Sequence, residues 1–408
     1  MRLEEIRTIL TCPDRNYLIV KITADNGLVG YGDATLNGRE LAVQSLLDHH
    51  LSSWLRGWDT DAIEKIWQSV TRQQYWRGGA ILMTALSGID MALWDLKGKK
   101  LGAPLYSLLG GKSRDRVRVY FHAHGKTDEE LVGRCRQIMA AGCTAVRYSF
   151  ETPDPFEPGL AHRQPHQDVA GGDRLEASLD ALRQPPRWDS SVYMKDLPRV
   201  TEILRRELGP DVQLIHDVHQ RLTPIQAATV AKRLEPYNLL YLEDPVEPHS
   251  QGLGVVRASS CTPIGMGELW VTAQEYLPAL QRHWIDYLRV DVSHAGGITG
   301  LMKASTLADA YQVSMAFHGP SDISPLAHSA NMHIDAAIVN FGIQEFVEPD
   351  SRARQVFAWR YSYSDGCVTL EDAPGLGVRV DEESASRFPY KESYMPLLQD
   401  RDGAVHNW

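Results

Sequence analysis

Three acids share one setting: Asp217 in LIHDVH, Glu243 in LYLEDP and Glu268 in GMGELW. Each closes a short apolar run, and they stand 26 and 25 residues apart. Such runs read as buried parallel strands, and the interval is about one strand–helix repeat of a β/α barrel. Consecutive barrel strands point their C-terminal ends at a shared mouth. Three carboxylates gathered there without matching bases repel one another, and a divalent cation that prefers oxygen ligands resolves the conflict. The pattern predicts a metal-dependent barrel enzyme.

His219 lies two residues beyond Asp217, so on a strand both side chains face the same way. A lone histidine at a strand end is usually no more than hydrogen-bonded. The coupling to Asp217 favours a chemical role instead, since an imidazole there suits acid–base work near neutral pH. His216 has the opposite orientation and reads as structural. Asp244 alternates away from Glu243 and reads as a supporting partner. Solvated loop acids are the bland alternative for Glu243 and Glu268, but both follow directly on the apolar LLYL and PIGMG. Arg289, His318, Asp322 and Glu345 also fall on or just past strand ends. Each alone could be a barrel salt bridge or a helix cap, and Asp322 ahead of ISPLAHSA is a natural cap. Together they offer donors and acceptors suited to a polyhydroxylated acid. Arg147, inside the apolar TAVRYSF, requires a partner if it is buried.

The elements that must position these residues can be read in outline. The first 30 residues form strands, IRTILTC, YLIVKITA and GLVGYGDA, with Asn26-Gly27 as a hairpin signal. Helical patterns over 39–51, 61–71 and 80–99 complete an α+β block. From Arg116 strands and helices alternate: VRVYFHA, TAVRYSF, VQLIHDVH, LLYLEDP, PIGMGEL, YLRVDVSH, VSMAFHG and VNFGIQEF, with helical spacers such as 128–141, 224–234 and 272–280. Eight strands fit a barrel. A doubly wound sheet is the alternative, but no GxGxxG or Walker pattern accompanies it. Residues 151–196, rich in Pro, Asp, His and Arg, interrupt the repeat as a long connection. YSYSDGCVTL reads as a hairpin in the tail. The expected division is an α+β domain over 1–115, a barrel over 116–347 and a C-terminal segment over 348–408 that packs back on the first domain.

A chain of 408 residues, 43% hydrophobic and 23% charged, can bury a large core. Its net charge of -10 argues against a general nucleic-acid binder. Acidic small molecules stay open as substrates, because a bound cation reverses the local sign. No apolar run approaches the ~20 residues that span a bilayer, and MRLEEIRTIL has acids where a secretory leader needs a basic start. The five cysteines are scattered, odd in number and without a CxxC pair, so they read as reduced thiols. The expected setting is cytoplasmic, with no nucleic-acid or membrane partner.

With these residues in view, a family likeness becomes specific. The strand-end Asp, Glu, Glu set resembles the enolase superfamily, and ALWDLKGKKLGAPLYSLLGG resembles the segment joining that superfamily's capping domain to its barrel. TCPDRNYLIVKI, GDATLNGRE, YWRGG, HDVHQRLTP, HGPSDISP, NFGIQE and the closing NW resemble the mannonate dehydratase subgroup, which includes gluconate dehydratases. The likeness spans nearly the whole chain apart from 151–196. It implies an α+β capping domain on a modified (β/α)7β barrel, in a homo-oligomer. It also implies that Asp217, Glu243 and Glu268 hold Mg2+, that His219 is the acid–base histidine, and that Asn37, His122, Arg289, His318, Asp322 and Glu345 touch substrate. The implied reaction dehydrates an aldonic acid such as D-mannonate or D-gluconate to a 2-keto-3-deoxy acid. Mg2+ chelates the C1 carboxylate and stabilises the enediolate left when the C2 proton departs, and an acid then helps expel the C3 hydroxyl.

One departure bears on the base. In the subgroup a tyrosine roughly a dozen residues past the strand-two arginine pairs with it to take the C2 proton. Arg147 is present here, but residues 149–162 contain no tyrosine, and Tyr148 points to the opposite face of its strand. His162, His166 or Tyr193 could serve from the insertion, or His219 could handle both transfers in a syn elimination. Two further readings follow: a dehydratase or epimerase for another acid sugar, reshaped by 151–196, and a ligand-binding protein that keeps the fold without turnover. The missing tyrosine favours the last, while His219 and the substrate-contact set oppose it.

Overall fold

The computed structural model describes the chain apart from residues 74, 154–160, 163–178, 181, 249–250, 396 and 408. It opens with an antiparallel sheet of β1 (Leu3–Thr11), β2 (Tyr17–Ala24) and β3 (Val29–Asp33) in that order. Helices α1 (Glu40–Leu46), α2 (Ile63–Arg72) and α3 (Ala80–Leu101) follow. Strand–helix alternation then begins with β4 (Val117–Gly125), α4 (Asp128–Ala140), β5 (Ala145–Phe150), α5 (Ser190–Leu208), β6 (Gln213–Asp217) and α6 (Pro224–Leu234). It continues through β7 (Tyr241–Glu243), α7 (Gly252–Ser259), β8 (Ile264–Met266), α8 (Ala273–Gln281) and β9 (Tyr287–Leu288). It ends with α9 (Gly297–Ala310), β10 (Ser314–Met315), α10 (Pro325–Ala337) and β11 (Gln344–Glu345).

Strands β4 to β10 pair in parallel, each with the next. The ring closes where β11 pairs with β4, Glu345 opposite Tyr120, and where Phe341 bridges Met315. The expected eight-stranded barrel is therefore present. Tyr120, Ala145, Ile215, Tyr241, Ala316 and Ile343 fill its interior. The helices start where the sequence places hydroxyl caps: Thr223 and Thr272 form capping boxes with Gln226 and Glu275. Ser324, rather than Asp322, caps α10. That frees the Asp322 carboxylate for other partners.

Helix α3 is apolar around most of its circumference because it is wedged between two bodies. One side lies on β3, where a Cβ at Gly32 would come 2.1 Å from the Gly88 carbonyl oxygen and one at Gly30 2.1 Å from that of Ala92. On the barrel side, Ser87 accepts from the amides of Gly296 and Gly297, Asp90 accepts from that of Thr299, and the Trp94 indole donates to the Thr299 hydroxyl. Gly32→Val should therefore force helix and sheet apart at a cost of about 3 kcal/mol. A clear drop in the urea midpoint is expected, and an unchanged midpoint would contradict this packing.

The tail hairpin forms as read, over Tyr361–Ser364 and Cys367–Leu370, with Asp365 and Gly366 both left-handed at the turn. It adds to the outside of β4. Beyond it, Glu382 meets Lys21, Arg7 and the Tyr31 hydroxyl of the N-terminal sheet. All five cysteines are free. Among the described residues no helix is long and apolar enough to cross a membrane.

Candidate active site

Strand register assembles the three acids. Asp217 on β6 lies opposite Glu243 on β7, and Glu243 lies opposite Gly265 on β8. Glu268 follows Gly267, whose φ of +145° lets the chain turn at the strand end. Their carboxylate oxygens lie within 4.8 Å of one another. Arg147 on β5 reaches Asp217 Oδ2 at 3.1 Å, Glu243 Oε1 at 3.4 Å and Glu345 Oε1 at 3.2 Å. Arg289 pairs with Glu243 Oε1 at 2.6 Å and Glu345 Oε2 at 2.9 Å, and donates to the hydroxyls of Tyr120 and Tyr241. The family likeness puts Arg289 at a substrate-contact position. It is instead fully buried beneath the acids, because its neighbours on β4 and β7 supply acceptors inside the barrel.

Four carboxylates (Asp217, Glu243, Glu268, Glu345) thus crowd around two guanidiniums, more acids than strong bases. Burial, opposed by Arg289 and reinforced by Asp217, pushes Glu243 up to about 8. Burial and the Asp244 charge likewise push Glu268 up to about 8. Burial disfavours the Asp217 charge too, but His219 and Arg147 hold that carboxyl well below its usual range. Glu243 Oε2 is buried with no hydrogen-bond partner among the described residues. A buried carboxylate oxygen is costly in that state. Hard oxygen donors gathered from three strand ends and an orphaned carboxylate oxygen together fit Mg2+.

Two imidazoles flank the acids. His219 Nε2 lies 2.8 Å from Asp217 Oδ2, and the His219 amide donates to Asp217 Oδ1 at 2.7 Å. His219 and Gln220 are both left-handed, at φ 51° and 58°, a conformation costing roughly 1–2 kcal/mol per L residue. Burial, despite the Asp217 charge, holds the His219 ring at about 4, so it is neutral at pH 7. His318, past β10, donates from Nδ1 to Asp291 Oδ2 at 2.7 Å and lies 3.3 Å from Glu268 Oε2. Burial disfavours its charge, but Glu268 and Asp291 raise it to about 10, so it is cationic. β6 and β10 are the third and seventh of eight barrel strands. The two rings therefore face each other across the mouth.

Above them lies a cavity of about 660 Å³ lined by His122, Arg147, His219, Glu268, His318 and Glu345. His122 Nε2 donates to Glu345 Oε1 at 2.6 Å. Arg15 and Asn37, from the N-terminal sheet's loops, also line it and clasp Asp322, with Arg15 on Oδ1 at 2.7 Å and Asn37 on Oδ2 at 2.8 Å. Arg15, Tyr120, Tyr241 and Asp291 do not stand out in the sequence. Period-two alternation carries the signal for three of them, since Tyr120 precedes His122, Tyr241 precedes Glu243 and Asp291 follows Arg289 by two residues.

Of the alternative bases in the insertion, Tyr193 is excluded by its place. It is buried on α5, outside the barrel wall, where its hydroxyl pairs with His216 Nε2 at 2.7 Å. His216 is structural as read: its Nδ1 lies 3.0 Å from the Tyr148 carbonyl, and burial drives its pKa to about 3. Tyr148 points the same way, to Thr201. The His162 side chain and His166 lie outside the described residues.

Residues 6–110 match the mandelate racemase/muconate lactonizing enzyme N-terminal domain, and residues 131–384 match the enolase C-terminal domain-like family. The chain belongs to the enolase superfamily. Within the superfamily, a D-mannonate dehydratase of Caulobacter sp. (strain K31) is 42% identical over 410 residues, covering all of both chains. A D-galactonate dehydratase family member of Pseudarthrobacter chlorophenolicus is 40% identical over 414 residues, again covering all of both. A crystal structure of an enolase from Pantoea ananatis with bound D-gluconate and Mg superposes with TM-score 0.90 at 38% identity, covering 100% of this chain and 99% of that one.

Proposed function

We propose that this enolase-superfamily enzyme, a hydro-lyase of acid-sugar metabolism, dehydrates an aldonic acid of the D-mannonate or D-gluconate class to a 2-keto-3-deoxy acid. The observation that carries the reading is a three-carboxylate centre at the floor of one cavity, with an imidazole within hydrogen-bonding reach of Asp217 and another beside Glu268. Asp217, Glu243 and Glu268 would hold Mg2+, whose charge when bound would stabilise the negative charge that builds as C2 loses its proton. Neutral His219 accepts that proton, which replaces the absent tyrosine. Arg147 steers the substrate carboxylate while balancing Asp217 and Glu345. Cationic His318, backed by Asp291, gives its proton to the departing C3 hydroxyl, and water leaves. His122, Asn37 and Asp322 orient the sugar hydroxyls, and Glu345 is held for the same purpose by buried Arg289. The enol that remains takes a solvent proton at C3 to give the keto acid. A different acid sugar is the second reading, favoured by relatives named for D-galactonate. The reading includes units at 1–115, 116–347 and 348–408, assembly into a homo-oligomer, and a place in the cytoplasm.

A panel of aldonic acids tests the reading, with 2-keto-3-deoxy product measured before and after chelation by EDTA. Product from mannonate or gluconate, lost on chelation and restored by Mg2+, is expected. Full turnover in the chelated protein would contradict the assigned site.

The raised acids also predict how metal binding varies with pH. Burial raises both Glu243 and Glu268 to about 8, so binding a cation on them must displace protons. Mg2+ affinity should therefore climb between pH 6 and 8, by up to about tenfold per unit for each proton released, and level off above. Calorimetric titrations in buffers of different ionisation enthalpy would show the proton release. A pH-independent Kd would count against the paired-acid description.

A further inference from the structure

We infer that the C-terminal hairpin, through His406 and Asn407, positions the loop that carries His219. Leu398–Gln399 pairs with Val405–His406, and the residues at its end reach the backbone just past His219. His406 Nε2 donates to the Arg221 carbonyl at 3.1 Å, and Asn407 Nδ2 donates to the Gln220 carbonyl at 3.4 Å. Asn407 also donates to Glu247 in the loop after β7.

The hairpin is itself fixed. The His406 ring stacks on Trp188 with centroids 4.4 Å apart, and its Nδ1 lies 2.9 Å from Asp400 Oδ1. The Trp188 amide donates to the Gln399 carbonyl at 2.7 Å, and the Gln399 amide donates to that of Pro186 at 3.1 Å. Arg401 pairs with Asp189. One short piece of chain thus joins the exit of the 151–196 insertion to the loops after β6 and β7.

The His219 loop needs such support. His219 and Gln220 are consecutive non-glycine residues in the left-handed region, which persists only when the surroundings over-determine it. From the inside, the Gln220 amide and side chain are held by Asp244, and the His219 amide by Asp217. From the outside, the carbonyls of Gln220 and Arg221 are held by the tail. Without the outer pair the peptide planes past His219 can rotate, and the ring moves with them. His406 and Asn407 are not among the residues that line the cavity, so they are positioning residues.

This inference rests on the role proposed for His219, and the test separates the two. His406→Phe keeps a ring on Trp188 but removes both hydrogen bonds, whereas His406→Gln keeps a donor and loses the stack. His406→Phe should lower kcat by about 10- to 100-fold, with KM within ~3-fold and Mg2+ affinity unchanged, as expected when a reacting group is misplaced. His406→Gln should recover part of kcat. Hydrogen–deuterium exchange of a peptide spanning 218–223 should rise in His406→Phe. If that variant does not fold, Asn407→Ala, which leaves the stack intact, is read in the same way. Wild-type kcat together with unchanged exchange would overturn the inference, as would a lower melting temperature with kcat and exchange both preserved. If the wild type turns over no acid sugar, the proposed function fails, yet exchange at 218–223 still decides the positioning claim.

Discussion

Glu243→Gln is expected to lower metal-dependent turnover by at least ~10³-fold and to weaken Mg2+ binding while leaving the chain folded. Glu243 occupies the middle of the register, opposite Asp217 on one side and Gly265 on the other. The substitution nearly preserves volume but replaces a carboxylate that a divalent ion would bind with a neutral amide. It also puts an amide where Glu243 Oε2 now lacks a partner. Arg289 keeps Glu345 and Arg147 keeps Asp217 and Glu345, so neither guanidinium is left as a lone buried charge. That is why loss of function rather than loss of fold is predicted. Steady-state turnover, a Mg2+ titration and a melting curve on the same preparation would check it. Unchanged turnover would refute the ligand assignment.

The second large effect separates the imidazoles. His219→Asn should reduce dehydration by about 10²- to 10⁴-fold, the usual worth of a positioned general base, and should also stop deuterium entering C2 of the remaining substrate in D2O. His318→Asn should cost dehydration a similar factor but leave C2 exchange running, because the group that takes the proton is intact. The contrast follows from the two environments. Burial leaves His219 neutral, whereas Glu268 and Asp291 keep His318 cationic. Near-normal dehydration in His318→Asn would mean that His219 carries both transfers. Exchange surviving in His219→Asn would mean that another base is at work.

The carboxylate centre and the barrel were legible in the sequence for the same reason. Parallel strands buried on both faces read as unbroken apolar runs, and an acid that ends such a run, at a strand–helix interval from the next, falls at a barrel mouth. Arg147 was legible as a buried cation in need of partners, but not which ones, because Glu345 reaches it only once β11 closes the ring beside β4. Arg289 fell at the expected position on its strand and yet lies below the cavity. Strand alternation gives a side chain's face, not its depth, and Tyr120 and Tyr241 draw this one inward. Asp322 reads as a helix cap, but Ser324 takes that role and leaves it to Arg15 and Asn37, from loops hundreds of residues away. Tyr193 could not be placed at all from sequence, since the insertion before it carries no periodic signal. His216, which reads as structural from its orientation on the strand, provides its partner.

The most direct measurement follows the Mg2+-loaded wild-type protein with D-mannonate and with D-gluconate in D2O by proton NMR. The predicted result is a 2-keto-3-deoxy acid from at least one of them, carrying one solvent deuterium at C3, where the enol is protonated. A folded, Mg2+-binding protein that yields neither this product nor deuterium at C2 of either acid would contradict the account.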